Sequence, residues 1–545
     1  MRLSLIIILL LLGNCGQKTE KADAIYHNGQ IITMDDSIGQ ASAMVVKDGK
    51  IIAIGDESLL EKYSCDQANI VDLKNQFVYP GLIDAHCHFY GYAKNLMSCN
   101  LVGTKSWSEV LTILDSFAAT TESAWVTGRG WDQNDWAEKT YPTNEALNTM
   151  FPDRPVILKR IDGHAAICNR KALVLAGIDA QTSVEGGEIV KANGKLTGVL
   201  VDNAVDLVEK VVLNASSADM VKALKKAESE CYALGLTTLA DAGLDLKECL
   251  FLDSLHKTGD LSMYLYLMLN PTEKGLEYAR SKGIYETDHA RIGSFKLYAD
   301  GALGSRGAKL KRDYCDRKGH SGMLLNSMEF FNSFCDKVYH STTYQVNTHC
   351  IGDSANKLIL QTYSKYLPAG NNRRWRIEHA QIVDTADVFL FKTYAVVPSV
   401  QPTHATSDAP WVKDRICEDR MPGAYAYGRL LQQNHYIALG TDFPVEYLNP
   451  LYTFYSAVFR ENANNREQGA FLLGEKLSPE ETLKGMTIWA AKACKLEHRK
   501  GSLSIGKDAD FVVMDKNLLT AGKEEVLTTK VIHTYRMGKK VHTLN

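Results

Sequence analysis

One short segment contains two histidines that could bind a metal ion together. It reads Tyr79-Pro80-Gly81-Leu82-Ile83-Asp84-Ala85-His86-Cys87-His88. Its apolar run predicts a β-strand, and side chains two residues apart on a strand point to the same face, so His86 and His88 could chelate one cation. In a chain with 15 His, such a pair could equally be two surface residues. The pair therefore needs support from other residues.

Four further residues with metal-binding or acid–base chemistry lie at or near the ends of apolar runs. They are Lys296, His349, His379 and Asp442. Each alone could be a hydrogen-bonded polar group of the core, although a lone buried Lys is costly because its desolvation is hard to offset. All four, with the His pair, fall toward the carboxyl ends of predicted strands, where the active sites of barrel enzymes lie. Together they favour a functional site.

The elements that carry these residues predict an α/β fold, a (β/α)8 TIM barrel. Eight apolar runs end in polar residues: Leu82–His88, Leu236–Asp241, Met263–Leu269, Ile292–Tyr298, Gln345–His349, Arg376–His379, Val396–Gln401 and Ile437–Asp442. Helical stretches separate them. Two more strand-like runs, Trp125–Gly130 and Val156–Asp162, lie between the first and second of these strands. We therefore expect the barrel over residues 80–497, with an insertion at about 100–225.

Both ends of the chain predict short β-strands. Ala24–Thr33 reads as a strand, a turn at Asn28-Gly29 and a strand, and Met44–Ile54 repeats the plan with a turn at Asp48-Gly49. Near the other end, Asp510–Met514 and Lys530–Tyr535 are strand-like, and a turn at Met537-Gly538 follows. We expect residues 22–79 and 498–545 to build one small composite β-sandwich that flanks the barrel.

The composition is that of an ordinary globular protein. The chain has 545 residues, of which 45% are hydrophobic and 23% charged. With 61 Lys and Arg against 64 Asp and Glu, the net charge of −3 gives no global case for binding nucleic acid. The 12 Cys are too few for a disulfide-built fold, and those in apolar runs, such as Cys87 and Cys350, are expected to be buried thiols.

The first residues resemble an export signal. Met1-Arg2 precedes an apolar run, Leu3–Leu12, that is about half the length of a membrane-spanning helix. Leu12-Gly13-Asn14-Cys15 follows and resembles a bacterial lipoprotein box, although a small residue is usual where Asn14 stands. We expect residues 1–15 to be a lipoprotein-type signal, with lipidated Cys15 as the only membrane contact of an exported bacterial protein. A plain cleaved signal or an uncleaved anchor is the alternative.

Longer strings give the chain a family resemblance. The set Pro80–His88, Lys296, His349, His379 and Asp442, in this order, resembles the amidohydrolase superfamily. The strings that resemble the branch with N-substituted formamide deformylases and YtcJ-like proteins are Gly130-Trp131-Asp132-Gln133, Asp162-Gly163-His164-Ala165-Ala166, Ala299-Asp300-Gly301-Ala302-Leu303-Gly304-Ser305-Arg306 and Gly440-Thr441-Asp442-Phe443-Pro444-Val445-Glu446. Gly501–Asp510 is similar to the superfamily's return into the β-sandwich. The resemblance covers about residues 22–541.

The resemblance implies a ligand set for one or two divalent cations. His86, His88 and Asp442 would bind the first cation. His349 and His379 would bind the second, or His379 would orient substrate if one cation is present. Lys296 stands where related two-metal members carry a lysine carbamate that bridges the metals; the alternative is an unmodified Lys paired with a carboxylate. His and carboxylate ligands suit zinc, although their type also admits manganese, iron or cobalt.

The resemblance also implies a mechanism and a group of substrate-binding residues. Metal-activated hydroxide would attack the substrate, and Asp442 would serve as general base and then pass the proton to the leaving nitrogen. Residues of the matching strings, and the His after the seventh strand, could line the substrate pocket: Trp131, Asp132, His164, Asp300, Arg306 and His404. The alternatives are a loop-supporting hydrogen bond for His164 and the fixing of a Gly-rich loop for Arg306.

Together these observations predict a metal-dependent hydrolase of a carbon–nitrogen bond other than a peptide bond. The expected partner is a small-molecule amide with an N-acyl or N-formyl group, and the resemblance also allows a homodimer. Cyclic-amide hydrolysis and deamination remain open, because the same scaffold supports all three reactions. A surface binding protein without turnover, or a lipoprotein with a purely structural metal, are rivals that the complete ligand set at an open barrel face argues against.

Overall fold

The barrel is present in the computed structural model of the protein, which describes residues 21–63, 68–121, 123–212 and 216–544. Its strands are β1 Leu82–Cys87, β2 Leu236–Leu244, β3 Tyr264–Leu269, β4 Ala290–Tyr298, β5 Gln345–Cys350, β6 Arg376–His379, β7 Val397–Val400 and β8 Ala438–Leu439. They are parallel neighbours in that order. All eight predicted strands are therefore confirmed. The predicted lipoprotein segment lies outside the described residues.

The barrel closes between its last and first strands just where the predicted ligands lie. The backbone N–H of Asp442 donates to the carbonyl of His86 at 2.8 Å, and the N–H of His88 donates to the carbonyl of Phe443 at 2.8 Å. The loop that follows β8 is thereby fastened to the carboxyl end of β1. This closure places Asp442 beside His86 and His88.

Helices surround the strands and bury their apolar sides against them. The helices of the barrel layer are Phe89–Asn95, Ser217–Ala233, Leu246–Thr258, Glu273–Lys282, Met328–Ser341, Asp353–Tyr363, Phe389–Thr393, Pro402–Asp408, Val412–Ile416, Tyr427–Asn434, Pro450–Phe459, Pro479–Gly485 and Ile488–Ala493. A short strand, Tyr285–Glu286, pairs with β4. No helix among the described residues is long and apolar enough to cross a membrane.

The insertion after β1 is a separate sheet with its own core. Its strands, in spatial order, are Gly187–Ala192, Lys195–Asp202, Ala165–Cys168, Val156–Arg160, Val126–Trp131 and Cys99–Asn100. Its helices are Trp107–Ala118, Glu145–Met150, Arg170–Leu175 and Asn203–Glu209. The helix Ser217–Ala233 already packs on the barrel through residues such as Leu224 and Cys231. The inserted unit thus ends earlier than the expected boundary near 225.

Two further sheets combine strands from both ends of the chain into the small β-domain. One has the order Lys50–Gly55, Ala43–Lys47, Ala24–His27, Asn69–Asp72; the other has the order Lys539–Thr543, Val531–Arg536, Phe511–Met514, Phe77–Pro80, Gln30–Ile32, Gln40–Ala41. The domain also contains the helices Ser58–Tyr63 and Lys523–Leu527. Buried residues of both ends, such as Tyr26, Phe511 and Tyr535, share one core.

The predicted turns of this domain have different outcomes. Asp48-Gly49 joins two antiparallel partners, Ala43–Lys47 and Lys50–Gly55, as a hairpin turn should. Asn28-Gly29 lies between two strands as predicted, but these strands enter different sheets and do not pair with each other. The turn therefore links the two layers of the domain and forms no hairpin.

The described cysteines include one disulfide that the sequence pattern did not predict. Cys315, in the loop after β4, is bonded to Cys417, which follows β7 and its short helices, with the two Cα atoms 5.8 Å apart. The eight described free cysteines are all buried, including Cys87 and Cys350, which confirms the expectation of core thiols. The disulfide ties together two loops at the carboxyl face of the barrel.

Candidate active site

A cavity of about 700 Å³ opens at the carboxyl ends of the barrel strands. The barrel contributes His88, Lys296, His349, His379 and Asp442 to its wall. The insertion covers the opposite side, and its residues at the cavity are Arg129, Asp132, Arg160, Asp162 and His164. Since the predicted ligands converge on one enclosed space, the barrel face is the candidate active site.

Asp442 lies at the centre of the potential metal ligands. Its Oδ1 is 3.1 Å from His88 Nε2 and 3.6 Å from His86 Nε2. These three side chains form one group whose ligand atoms lie within 4.8 Å of one another. Asp442 forms a second such group with His379 and His404. The carboxylate can therefore bind a cation in common with either histidine pair.

Hydrogen bonds fix the tautomers of three of these histidines. The Nδ1–H groups donate from His86 to Glu378 Oε2 at 2.5 Å, from His88 to the carbonyl of Ala242 at 3.0 Å, and from His379 to Gln401 Oε1 at 2.8 Å. Each ring therefore keeps the lone pair of its Nε2 for the cavity. Such partners on the far nitrogen are typical of metal-ligating histidines.

His404 is oriented differently. The side-chain amide of Gln381 donates to His404 Nδ1 at 2.8 Å, so His404 Nε2 carries the proton and faces Asp442 Oδ2 at 3.4 Å. With this orientation His404 is a hydrogen-bond donor to Asp442 or to a bound molecule. The geometry fits the predicted substrate-side role better than a ligand role.

Burial keeps the potential ligands in the protonation states that a cation requires. It lowers the pKa of His86 to about 4 and the pKa values of His349 and His379 well below their usual range, so these rings are neutral. Burial opposes ionisation of Asp442, but His88, His379 and His86 hold its pKa well below the usual value. His349 Nε2 is buried without a hydrogen-bond partner. Neutral imidazoles, a carboxylate and an unpartnered nitrogen fit a divalent cation.

Lys296 extends from β4 into the same group. Its side chain is buried, and Nζ is 3.0 Å from His86 Nε2. Burial lowers the pKa of Lys296 to about 8. A substantial fraction of free amine near neutral pH is the form that reacts with CO2, as the resemblance requires.

The backbone at the ends of β1 and β8 is held in a tight arrangement. A Cβ atom at Gly440 would lie 2.6 Å from the backbone nitrogen of His86, which real Cβ atoms do not tolerate. Asp84 accepts hydrogen bonds from the backbone N–H of His86 at 3.1 Å and from Thr441 Oγ1 at 2.7 Å. Asp442 itself has a φ of 63°. Glycine and a buried carboxyl together hold Asp442 in this strained position.

The insertion presents two hydrogen-bonded groups to the cavity. His164 Nδ1 is 2.8 Å from Asp202 Oδ1, and the His164 ring lies 5.1 Å from the ring of His349. Asp132 lines the cavity but its carboxylate is held by the buried guanidinium of Arg160. Of the predicted substrate-binding residues, His164, Asp132 and His404 are therefore at the cavity.

Trp131 does not line the cavity, contrary to the prediction. Its ring is fully buried in the core of the insertion, and Nε1 donates to the carbonyl of Leu158 at 2.8 Å. The pairing of this strand shifts register between Arg129 and Trp131, where Gly130 has a φ of 120°. This bulge turns Trp131 away from the face on which Arg129 meets the cavity.

Asp300 and Arg306 are also absent from the cavity wall. Buried Asp300 accepts hydrogen bonds from the backbone N–H groups of Ile351, Gly352 and Lys309 at 2.7–3.0 Å. Arg306 donates to Asp316 through Nε at 3.1 Å and through NH2 at 2.8 Å. Both residues hold the loops after β4 and β5, so the alternative of a loop-fixing role describes Arg306.

Sequence reasoning missed the residues that support the ligands. Glu378 and Gln401 orient His86 and His379, and Arg376 pairs with Glu378 inside the barrel. A signal was present in the string Arg376-Ile377-Glu378-His379, where two charges interrupt a short strand. Arg129, a cation on the cavity wall, was missed because its neighbours in the same string attracted attention.

The fold and the site define a class of protein: a barrel hydrolase with a histidine and aspartate metal centre at its carboxyl face. Residues 69–542 match the amidohydrolase family, and the chain belongs to that family. The predicted family and the prediction that the chain is a hydrolase are thereby confirmed.

Relatives match over nearly the whole chain. Protein LONG AFTER FAR-RED 3 of Arabidopsis thaliana is 32% identical over 540 residues, 96% of this chain and 92% of its own. N-substituted formamide deformylase of Arthrobacter pascens is 24% identical over 548 residues, 95% of this chain and 98% of its own. An uncharacterized metal-dependent hydrolase from Pyrococcus horikoshii has a similar structure, with a TM-score of 0.75 and 26% identity over 92% of this chain and 99% of its own.

Proposed function

We propose that the protein hydrolyses the N-acyl or N-formyl bond of a small amide. The observation that carries this proposal is the placement of the Asp442 carboxylate between His88 and His404 at the floor of the cavity, 3.1 and 3.4 Å from their Nε2 atoms. The similarity to a protein named N-substituted formamide deformylase over 95% of the chain supports the amide class.

Each residue at the cavity floor has a part in this reaction. His86, His88 and Asp442 would hold one divalent cation, and Lys296, His349 and His379 would add ligands for a second. The bound cation would polarise the amide carbonyl and acidify a water molecule near it. The ionised Asp442 takes the proton from the attacking water and returns it to the leaving nitrogen, and His404 Nε2–H orients its Oδ2.

Zinc is the proposed cation, because imidazole and carboxylate ligands suit it. Lys296 as its carbamate would supply a further carboxylate-type ligand from the centre of the barrel. Elemental analysis of protein purified without chelators tests both points. Two zinc ions per chain support the pair of sites, whereas one ion removes the need for a modified Lys296 and moves His379 toward the substrate.

The activity test uses metal-loaded protein and a panel of N-formyl and N-acetyl amines, cyclic amides and amino-substituted heterocycles. We expect amine release from the first group, and a loss of about 10²–10⁴-fold in kcat for Asp442→Asn. Arg306→Gln is the matched control, because Arg306 binds Asp316 away from the cavity. Turnover of cyclic amides or deamination instead would overturn the proposed substrate class.

We also propose that the protein is exported and anchored through Cys15. The disulfide between Cys315 and Cys417 supports an oxidising compartment, where such bonds persist. Mass spectrometry of the protein from bacterial membranes tests the anchor. A lipid-modified N-terminal Cys15 is expected, and a Cys15→Ser variant should appear in the soluble fraction; an unmodified chain in the cytoplasm would refute the proposal.

A further inference from the structure

The cavity wall contains one enclosed cation without a carboxylate partner. Among the basic residues at the cavity, Arg160 forms ion pairs with Asp132 and Asp162, and Lys296 lies among the metal-binding histidines. Arg129 lines the same cavity and makes no ion pair with any carboxylate of the described residues. A cation removed from water without a counter-charge is costly, so its presence calls for an explanation.

The guanidinium of Arg129 is held in place but not saturated. Its NH2 donates to the carbonyl of Ile161 at 2.9 Å, while its Nε is buried without a hydrogen-bond partner. Gly163 lies against it, and a Cβ there would come within 3.2 Å of NH2. The neighbouring backbone therefore fixes the plane of the guanidinium and leaves part of its donor fork for a molecule in the cavity.

The other charges of the cavity do not use this fork. The Asp162 carboxylate is engaged by Arg160 and by the backbone N–H of His164. On the barrel side, Asp408 accepts from Tyr425 Oη at 2.5 Å and Glu446 accepts from Ser407 Oγ at 2.5 Å. Each nearby carboxylate thus has another partner, and a counter-ion for Arg129 has to come from a ligand.

We propose that Arg129 binds a carboxylate of the substrate, and therefore that the substrate is an N-acyl or N-formyl amino acid or a similar amide with a carboxylate. This inference rests on the proposed amide hydrolysis. A guanidinium matches a carboxylate with two parallel N–H donors, and the pair is charge-assisted. Arg129, on the insertion, and Asp442, on the barrel, would then contact opposite ends of one small molecule across the cavity.

The test compares two amides that differ only in the carboxylate, N-formyl-leucine and N-formyl-3-methylbutylamine. We expect wild-type kcat/KM to favour the carboxylate by about 10- to 100-fold, the range for a hydrogen bond to a charged group. Arg129→Gln should remove this preference and leave turnover of the uncharged amide within about 3-fold. Arg129→Lys, which keeps the charge but loses the fork, should lose part of the preference.

The matched control is Lys105→Gln, which removes an exposed positive charge at the same cavity. It should leave the preference unchanged, because it does not alter the fork. Equal losses on both amides in Arg129→Gln would show a merely structural role and overturn the proposal. So would a wild-type enzyme without preference for the carboxylate.

A binding measurement separates this inference from the proposed reaction. Calorimetry of metal-loaded wild type and Arg129→Gln with 4-methylpentanoate and with 4-methylpentanol involves no turnover. If neither amide is hydrolysed, the proposed function fails, yet weaker binding of 4-methylpentanoate by about 10-fold or more in Arg129→Gln still supports the anion site. Equal binding of this carboxylate to both proteins overturns it. If Arg129→Gln does not fold, Arg129→Lys replaces it in the same comparison.

Discussion

The buried charges behind His86 lead to a prediction with two separable parts. Glu378 is fully buried, accepts from His86 Nδ1 at 2.5 Å, and pairs with Arg376 Nε at 2.6 Å. Burial opposes its ionisation, but Arg376 and His86 lower the pKa of Glu378 to about 2, so it carries a full charge. Glu378→Met therefore leaves a buried guanidinium unpaired and a metal ligand without its orienting partner.

The magnitudes follow from these contacts. Breaking a buried ion pair from one side costs about 3–5 kcal/mol. For a chain of this length, that lowers the melting temperature by about 3–4 °C. Losing the partner of a metal-ligating histidine weakens metal binding by about 10- to 100-fold.

The double variant Arg376→Met/Glu378→Met distinguishes the two parts. Because both charges are removed, its melting temperature should return toward wild type. Its metal affinity should stay 10- to 100-fold low, since His86 still lacks its acceptor. Differential scanning fluorimetry of the metal-free proteins and competition with a chromophoric chelator measure the two quantities. Wild-type metal affinity in either variant would refute the assigned role of Glu378.

Three further predictions concern other parts of the site. Lys296→Ala should lower kcat at least about 100-fold if its carbamate holds metal, and added propionate should restore part of the activity; no rescue together with unchanged metal content would contradict a ligand role. Gly440→Ala should destabilise the protein by about 1–3 kcal/mol, because its Cβ would meet His86 N at 2.6 Å, whereas Gly474→Ala, with open space around it, should leave the thermal midpoint unchanged; similar midpoints would refute the steric argument. Burial and neighbouring acids raise the pKa of Glu446 to about 8, so its carboxyl costs stability as pH rises from about 4 to 8, and Glu446→Gln should gain thermal stability relative to wild type between pH 6 and 9; a difference independent of pH would be inconsistent with this pKa.

The barrel could be predicted from the sequence because each strand is a compact apolar run with a polar residue at its carboxyl end. Strand parity places His86 and His88 on one face, and the barrel topology brings Asp442 to them. These features depend on local pattern and on the geometry of one fold. They needed no knowledge of distant contacts.

The parts that could not be predicted depend on distant pairs and on local irregularity. Glu378 acts on a histidine 292 residues away, and the disulfide joins cysteines 102 residues apart. Trp131 was misplaced because a bulge beside it reverses the alternation that its strand would otherwise follow. Asp300 and Arg306 belong to matching strings, but their side chains are engaged by loops. A family string therefore shows where a site lies without showing which of its side chains reach the substrate.

The shared sheet of the small domain also affects how the chain can fold during synthesis. Strand Phe77–Pro80 has Phe511–Met514 as its antiparallel partner, about 430 residues later in the chain. At a synthesis rate of about 5–20 residues per second, the first strand waits on the order of 20–90 s for this partner. During that time one edge of it offers unpaired backbone groups, which favours association with other chains. A nascent chain of this protein therefore has a long interval in which a holding chaperone would raise the yield of native molecules.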